Sequence, residues 1–316
     1  MIRQSAFEGN KQLLKGCLHS HTTRSDGRMT PEELMKYYAE HGYNFMAITD
    51  HRVYNRTNYA PETGICIIPG FEVDAYFDYE SGMRNYHTVC IGPDDETNGF
   101  ADGERVDTIS FPRQGNTPEI IAERQAIYQE FLDEIHAKNN MTFYCHPEWS
   151  GTPARFFDKL SGDFGVEVYN TGCEIENDMD TNAPYWDELL GMGKKLWGIA
   201  VDDGHYAECC CGGWVMVNAE NNVPSLLEAL KNGAFYSSCG PVIKDFYVEN
   251  GRAYLDADDC ATINFVSERH PSNLFRAPAG GTISHAESGV EGFKYIRGVV
   301  TDRNGKRAWT NPIYLD

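Results

Sequence analysis

The sequence has no hydrophobic run near the roughly 18 residues that a membrane span requires. Its first 15 residues are polar and mixed in charge, unlike a secretory leader, so a cytoplasmic protein without membrane association is expected. Basic residues are scarce. Lys and Arg number 27 against 47 Asp and Glu, a net charge of −20. Such a field repels phosphodiester backbones and argues against nucleic-acid partners, including a nuclease or polymerase-associated editing role. No Cys-x-x-Cys pair occurs among the ten cysteines, which removes zinc ribbons and thioredoxin-type motifs. Cys209, Cys210 and Cys211 are adjacent and cannot easily bridge one another, so reduced thiols are expected. A Gly-x-Ser-x-Gly element is missing as well, so no serine nucleophile is signalled. Internal repeats and low-complexity tracts are absent.

What is present is alternation. Residues 13–20 read as a strand, and Thr30-Pro31-Glu32-Glu33 opens a helix with Thr30 as N-cap and Glu33 completing a capping box. Strands follow at 45–49, 65–68 and 88–91, a long helix at 117–138 and a strand at 141–145. Shorter units continue the theme: strands at 166–169 and 196–201, a helix at 185–192, and a helix–strand pair at 223–231 and 234–237. Strands alternating with helices predict a parallel sheet, open or closed into a barrel. After residue 240 the pattern changes to period-2 runs broken by Asn250-Gly251, Gly280-Gly281 and Asn304-Gly305. We therefore expect two domains, 1–240 and a small all-β domain over 241–316.

Candidate chemistry gathers at strand ends. His19 and His21, two apart in a strand, share a face and can reach one ion. Asp26 follows before Gly27, which permits a tight turn. The next strand ends in Asp50-His51, the third is followed by Gly70-Phe71-Glu72, and His87 begins the fourth. His146 ends the fifth, and Asp203 and His205 follow the strand at 196–201. Parallel α/β barrels assemble active sites from such ends. The remaining histidines, His41, His136, His270 and His285, carry no assigned function.

His19-x-His21-Thr22-x-x-Ser25-Asp26-Gly27 and Ile48-Thr49-Asp50-His51 resemble the first two motifs of the PHP (polymerase and histidinol phosphatase) family. Gly70-x-Glu72, His87, His146-Pro147 and Asp203-x-His205 match its later ligand positions in order, so the resemblance covers residues 13–240. It implies a distorted (β/α)7 barrel, TIM-like, holding two or three divalent ions of zinc, manganese or iron. By the same resemblance His19, His21, Glu72 and Asp203 would hold one metal, and Asp26, His51 and His205 a second. Glu72, His87 and His146 would hold a third, with Glu72 bridging. Asp50 and Asp202 would orient neighbouring imidazoles. The stretches Phe235-Tyr236-Ser237-Ser238 and 307–313 resemble the branch containing carbaryl hydrolases, in which a small β-domain follows the barrel; Trp309 is expected to be a core aromatic of that domain.

By the same resemblance the expected activity is hydrolysis of a small anionic phosphate ester, the commonest activity of that family; two close cations would bring a shared water toward a bound hydroxide near neutral pH, able to attack phosphorus or a carbonyl carbon. His205 could instead protonate the leaving group, although a ligand role ranks first. Arg24 and Arg52, beside the first two motifs, are the candidates for gripping phosphate, and Arg113, in a loop that reads as a lid, is a weaker third. Alternatives are hydrolysis of a carbon-centred ester, carbamate or amide, or a non-catalytic metal-binding protein. No motif speaks to oligomeric state.

Overall fold

Thr30 caps the helix Pro31–Glu40 as its spacing predicts: the Glu33 amide donates to its hydroxyl at 3.3 Å, and its own amide donates to the Glu33 carboxylate at 2.8 Å. Both bonds satisfy amides that the helix itself leaves without partners. Replacing Thr30 with alanine is expected to lower the unfolding free energy by about 1 kcal/mol; urea denaturation reads this, and an unchanged midpoint and slope would contradict it. Thr117 caps the long helix Pro118–Ala137 with its hydroxyl alone, which accepts the Ile120 amide. This computed structural model describes residues 1–9, 12–80, 82–115, 117–179, 181–269 and 273–315, so His270 lies outside the described residues. No described helix is long and apolar enough to cross a membrane.

The chain has an α/β fold, and its strands form three sheets among the described residues. One runs, in spatial order, through Trp197–Val201, Asp163–Asn170, Met141–Tyr144, Gly82–Ile91, Gly70–Tyr79 and Ile109–Gln114. A longer one passes from Cys66–Ile67 through Phe45–Met46, Leu13–Cys17, Trp214–Asn218 and Phe235–Ser238 to the C-terminal strands. Two parallel bridges, Ser20 to Gly204 and His51 to Glu72, stitch these sheets together. Leu18, Ile68, Val89, Phe143, Ile199 and Val215, drawn from both sheets, meet in one buried cluster.

The expectation of a parallel sheet holds only in part. Leu13–Cys17, Phe45–Met46 and Cys66–Ile67 are parallel, as are Met141–Tyr144, Asp163–Asn170 and Trp197–Val201. Gly70–Tyr79 and Gly82–Ile91 instead form an antiparallel hairpin, turned at Gly82 with φ of 121°. Trp214–Asn218 also runs antiparallel to Leu13–Cys17. The first arm of the hairpin and the helix Thr171–Asn177 are not among the elements that the residue pattern predicts.

The C-terminal strands share a sheet with the preceding part, since Phe235–Ser238 pairs antiparallel with Arg307–Thr310. A second sheet of Ile2–Arg3, Ile243–Glu249, Arg252–Cys260 and Ile283–Gly289 accompanies them. Phe246, Leu255, Ile263 and Val300 belong to the buried cluster that these strands form. The tail motif forms a seam with the rest of the molecule. Trp309 is buried and lies 6.0 Å from Tyr169, and Asn311 accepts the Gly198 amide at 3.0 Å. Arg297, also buried, donates to both oxygens of Asp187 at 2.6 Å beneath Trp186, pinning the helix Ala183–Gly191 to these strands. None of the ten cysteines is paired.

Candidate metal centre

Backbone pairing builds the site. At the first bridge the Asp203 amide donates to the His19 carbonyl and the His21 amide to the Gly204 carbonyl, both at 3.0 Å. That register sets His19 and His21 beside Asp203 and His205. At the second bridge the Glu72 amide donates to the Thr49 carbonyl at 3.0 Å and the Arg52 amide to the Glu72 carbonyl at 2.7 Å, which brings His51 against Glu72. Arg52, His146 and Asp203 have φ of 59°, 26° and 52°, a region that non-glycine residues seldom occupy. Strained backbone of this kind gathers where a site fixes side-chain direction. Gly27 is required by close approach: a Cβ there would lie 2.4 Å from the His21 carbonyl oxygen.

The donor atoms converge. His19 Nε2 and His21 Nε2 lie 3.1 Å apart, each 3.4 Å from Glu72 Oε2 and within 3.3 Å of Asp203 Oδ1. Asp26 Oδ2 is 3.6 Å from His51 Nε2, and Asp26 Oδ1 is 3.5 Å from His205 Nε2. His87 Nδ1 and His146 Nε2 both face Glu72 Oε1, at 3.0 and 3.4 Å. Five imidazoles therefore face the Glu72 carboxylate, and Asp203, Asp26 and His205 join the group through His21 and His51. Two of the expected sets are seen as compact clusters, the second gaining His21; the third divides into His51–Glu72–His87 and Glu72–Cys145–His146. His87 does not stand at a strand end. It lies within Gly82–Ile91 opposite Asp74, because this strand runs against its neighbours.

Elementary chemistry says what this cluster wants. Burial pushes the Glu72 carboxyl up, yet the imidazoles of His51, His19 and His87 hold it well below the usual carboxylate range. Asp203 behaves likewise: burial raises it, and His19 and His21 overcome that. Burial and the facing His51 push His21 down to about 4, while Asp26 and Asp203 overcome burial at His205 and raise it to about 9. His21 Nδ1, His51 Nδ1, Glu72 Oε2 and His87 Nε2 are buried without a hydrogen-bond partner. Buried lone pairs facing one another at 3.1–3.4 Å, with carboxylates between them, fit cations better than hydrogen bonds. Histidine with carboxylate suits zinc, manganese or iron.

Two orienting groups differ from expectation. Asp50 touches no imidazole; it accepts the Thr22 amide and hydroxyl, both at 2.7 Å, and so clamps the 22–25 turn. Asp202 accepts the Tyr38 and Thr171 hydroxyls at 2.7 Å and the amides of 211–213, again far from its assigned task. Glu167, which no sequence motif singles out, holds His19 Nδ1 at 2.6 Å from full burial. A charged residue inside the apolar run Val166-Glu167-Val168 was the available signal.

The arginines also redistribute. Arg24 donates to Asn55 at 2.6 Å and to Tyr59, and does not line the main cleft. Arg113 sits exposed in the strand Ile109–Gln114, not in a lid. Arg52 does line the cleft, with its guanidinium 3.3 Å from Asp74. Arg28 is the unforeseen one: it stacks on Tyr206 at 4.8 Å and lines the same cleft of about 480 Å³.

A PHP domain profile matches residues 18–184, more than half of the chain. Asp203 and His205 lie beyond that span. No curated protein matches significantly. Among solved structures, the chain is similar to a two-domain protein from Bacteroides vulgatus containing a predicted PHP-like metal-dependent phosphoesterase, at 13% identity and TM-score 0.48, covering 96% of each chain. An amidohydrolase from Chromobacterium violaceum with bound sulfate and no metal is 15% identical, with TM-score 0.38 over 60% of this chain and 87% of that one. A putative metal-dependent phosphoesterase from Bifidobacterium adolescentis is 16% identical, with TM-score 0.36 over 69% of this chain and 96% of that one. On the matched profile, the chain belongs to the PHP domain family.

Proposed function

We propose that the protein hydrolyses a small phosphate ester in the cleft lined by His51, Glu72, His146 and Asp203. The observation that carries this reading is the convergence of imidazole and carboxylate donors on Glu72, with Arg28 and Arg52 on the same cleft. His19, His21, Glu72 and Asp203 would hold one divalent ion, Asp26, His51 and His205 a second, and Glu72, His87 and His146 a third. Such ions, when bound, activate water and stabilise charge on the reacting phosphoryl oxygens. The chain's own residues do the rest. Glu167 and the Asp203 carbonyl, the latter 2.9 Å from His205 Nδ1, fix imidazole tautomers so that Nε2 faces the centre. The guanidinium groups of Arg28 and Arg52 supply paired donors for phosphate oxygens. Arg52 is partly committed to Asp74 and Thr108, which leaves Arg28 the better placed.

The fold supports the same reading. The two larger sheets, stitched at their bridges, are best taken as a distorted (β/α)7 barrel over 1–240, with 241–316 as a β-domain hydrogen-bonded to it. The net charge of −20 favours a small substrate over nucleic acid, and ten unpaired cysteines favour a reducing cytoplasmic compartment.

The test is a panel on protein loaded separately with manganese, zinc and iron: p-nitrophenyl phosphate, its diester, a naphthyl carbamate and a nucleotide. Turnover of the phosphomonoester, lost with chelator and restored by metal, is expected. Faster cleavage of the carbamate would turn the reading to carbon-centred esters, and inactivity on all four would sink it. Arg28→Ala should raise KM for p-nitrophenyl phosphate about tenfold, the scale of a charged hydrogen bond. Arg113→Ala, remote from the cleft, should leave it alone. Equal KM values in the two variants would remove Arg28 from the site.

A further inference from the structure

We propose, building on the phosphoesterase reading, that the organic group of the ester is a flat aromatic ring and that Trp149 binds it. Trp149 alone among the five tryptophans is exposed, at 41%, whereas Trp186 and Trp309 are fully buried. A single exposed apolar side chain carries no message by itself; what singles out this indole is where it stands. Its place is specific. The Ser150 amide donates to the His146 carbonyl at 3.0 Å, and Ser150 Oγ lies 3.2 Å from His146 Nδ1. This turn, immediately after the candidate ligand His146, carries Trp149 to the rim of the cleft.

The ring is braced and not adrift. It meets His146 edge-on at 4.8 Å and 78°, and His87 at 5.5 Å and 56°. Tyr76 meets His87 edge-on at 5.8 Å and lines the same cleft. The cleft therefore carries aromatic rings directly beside the donors that would bind metal. The same cleft is lined by Arg28, stacked on Tyr206, and by Glu176 and Asn177. The arginine suits the phosphate, and the Glu176 carboxylate disfavours a second anionic group on the same substrate. A volume of about 480 Å³ is ample for a ring and a phosphate together. A planar ring stacked on Trp149 would gain more than an alkyl group of equal reach, because offset stacking adds to the burial of area.

The experiment uses metal-loaded full-length protein and two inert ligands, 1-naphthylphosphonate and methylphosphonate, titrated by calorimetry into wild type, Trp149→Ala and Trp149→Phe. Naphthyl should bind wild type about tenfold more tightly than methyl. Trp149→Phe should keep most of that ratio, and Trp149→Ala should bring it close to one. A ratio that survives in Trp149→Ala, or that is absent from wild type, overturns the assignment of Trp149. If p-nitrophenyl phosphate is still turned over in that case, the phosphoesterase reading stands without it. If neither phosphonate binds wild type, both readings fall together.

Discussion

Glu72→Gln protein will purify with most of its metal missing, and its kcat/KM on the best ester of the panel will fall on the order of a thousandfold. The size follows from the geometry. Glu72 Oε2 faces His51 Nδ1 at 3.0 Å and His19 and His21 at 3.4 Å, while Oε1 faces His87 and His146. One side chain thus borders every candidate metal set. The substitution keeps shape but removes a full negative charge, and it turns one of two acceptors into a donor. That donor would point at imidazole nitrogens that must present lone pairs to a cation. Losing the charge stabilisation that a metal supplies costs several kcal/mol, and each 1.4 kcal/mol is tenfold in rate. Elemental analysis of the purified protein and steady-state kinetics at saturating metal measure the two effects. A thermal melt guards against simple misfolding, since the isosteric amide should leave the fold in place. Full metal content with activity within tenfold of wild type would show that Glu72 is not the common ligand.

Much of this centre is legible in the chain, for a physical reason. A strand points residues two apart to one face, so the spacing of His19 and His21 by itself announces a shared target. Strand ends in a parallel sheet converge, which recruits His51, His146, Asp203 and His205 from distant segments. Legibility stops where direction depends on backbone turns. Arg24 and Arg28 flank the same turn, and nothing in their spacing says which faces the cleft. The Thr22 carbonyl accepts the Ser25 amide at 3.1 Å and the Gly27 amide at 2.9 Å, and that tight turn sends Arg24 to Asn55 and Arg28 to Tyr206. Strand polarity is equally hidden. The Ser81-Gly82 pair signals a turn, but the apolar and polar residues of 70–79 do not alternate cleanly, since nearly all of that strand is buried. Without the hairpin, His87 reads as a strand start and Asp74, its cross-strand partner, is not considered.

Glu167 shows the same limit and gives the second large effect: Glu167→Gln will weaken metal binding about 10- to 100-fold, the range typical when a group that orients a ligand is altered. Its carboxylate performs two tasks at once. Oε1 accepts a hydrogen bond from His19 Nδ1–H at 2.6 Å, leaving Nε2 bare toward the centre, and Oε2 accepts the His146 amide at 2.7 Å and Asn170 Nδ2 at 2.9 Å. It therefore fixes the tautomer of one candidate ligand and the backbone of another, whose φ of 26° needs such support. A glutamine oxygen can keep one of these roles, and its amide nitrogen loses the other. Because Glu167 reaches the metals only through His19 and His146, activity should return when metal is raised in proportion, with kcat at saturation falling far less than apparent affinity. Glu72→Gln should show no such rescue. Metal-activation curves for the two variants, run side by side, separate a ligand from the group that aims it; an unshifted curve for Glu167→Gln would mean that His19 holds its orientation unaided.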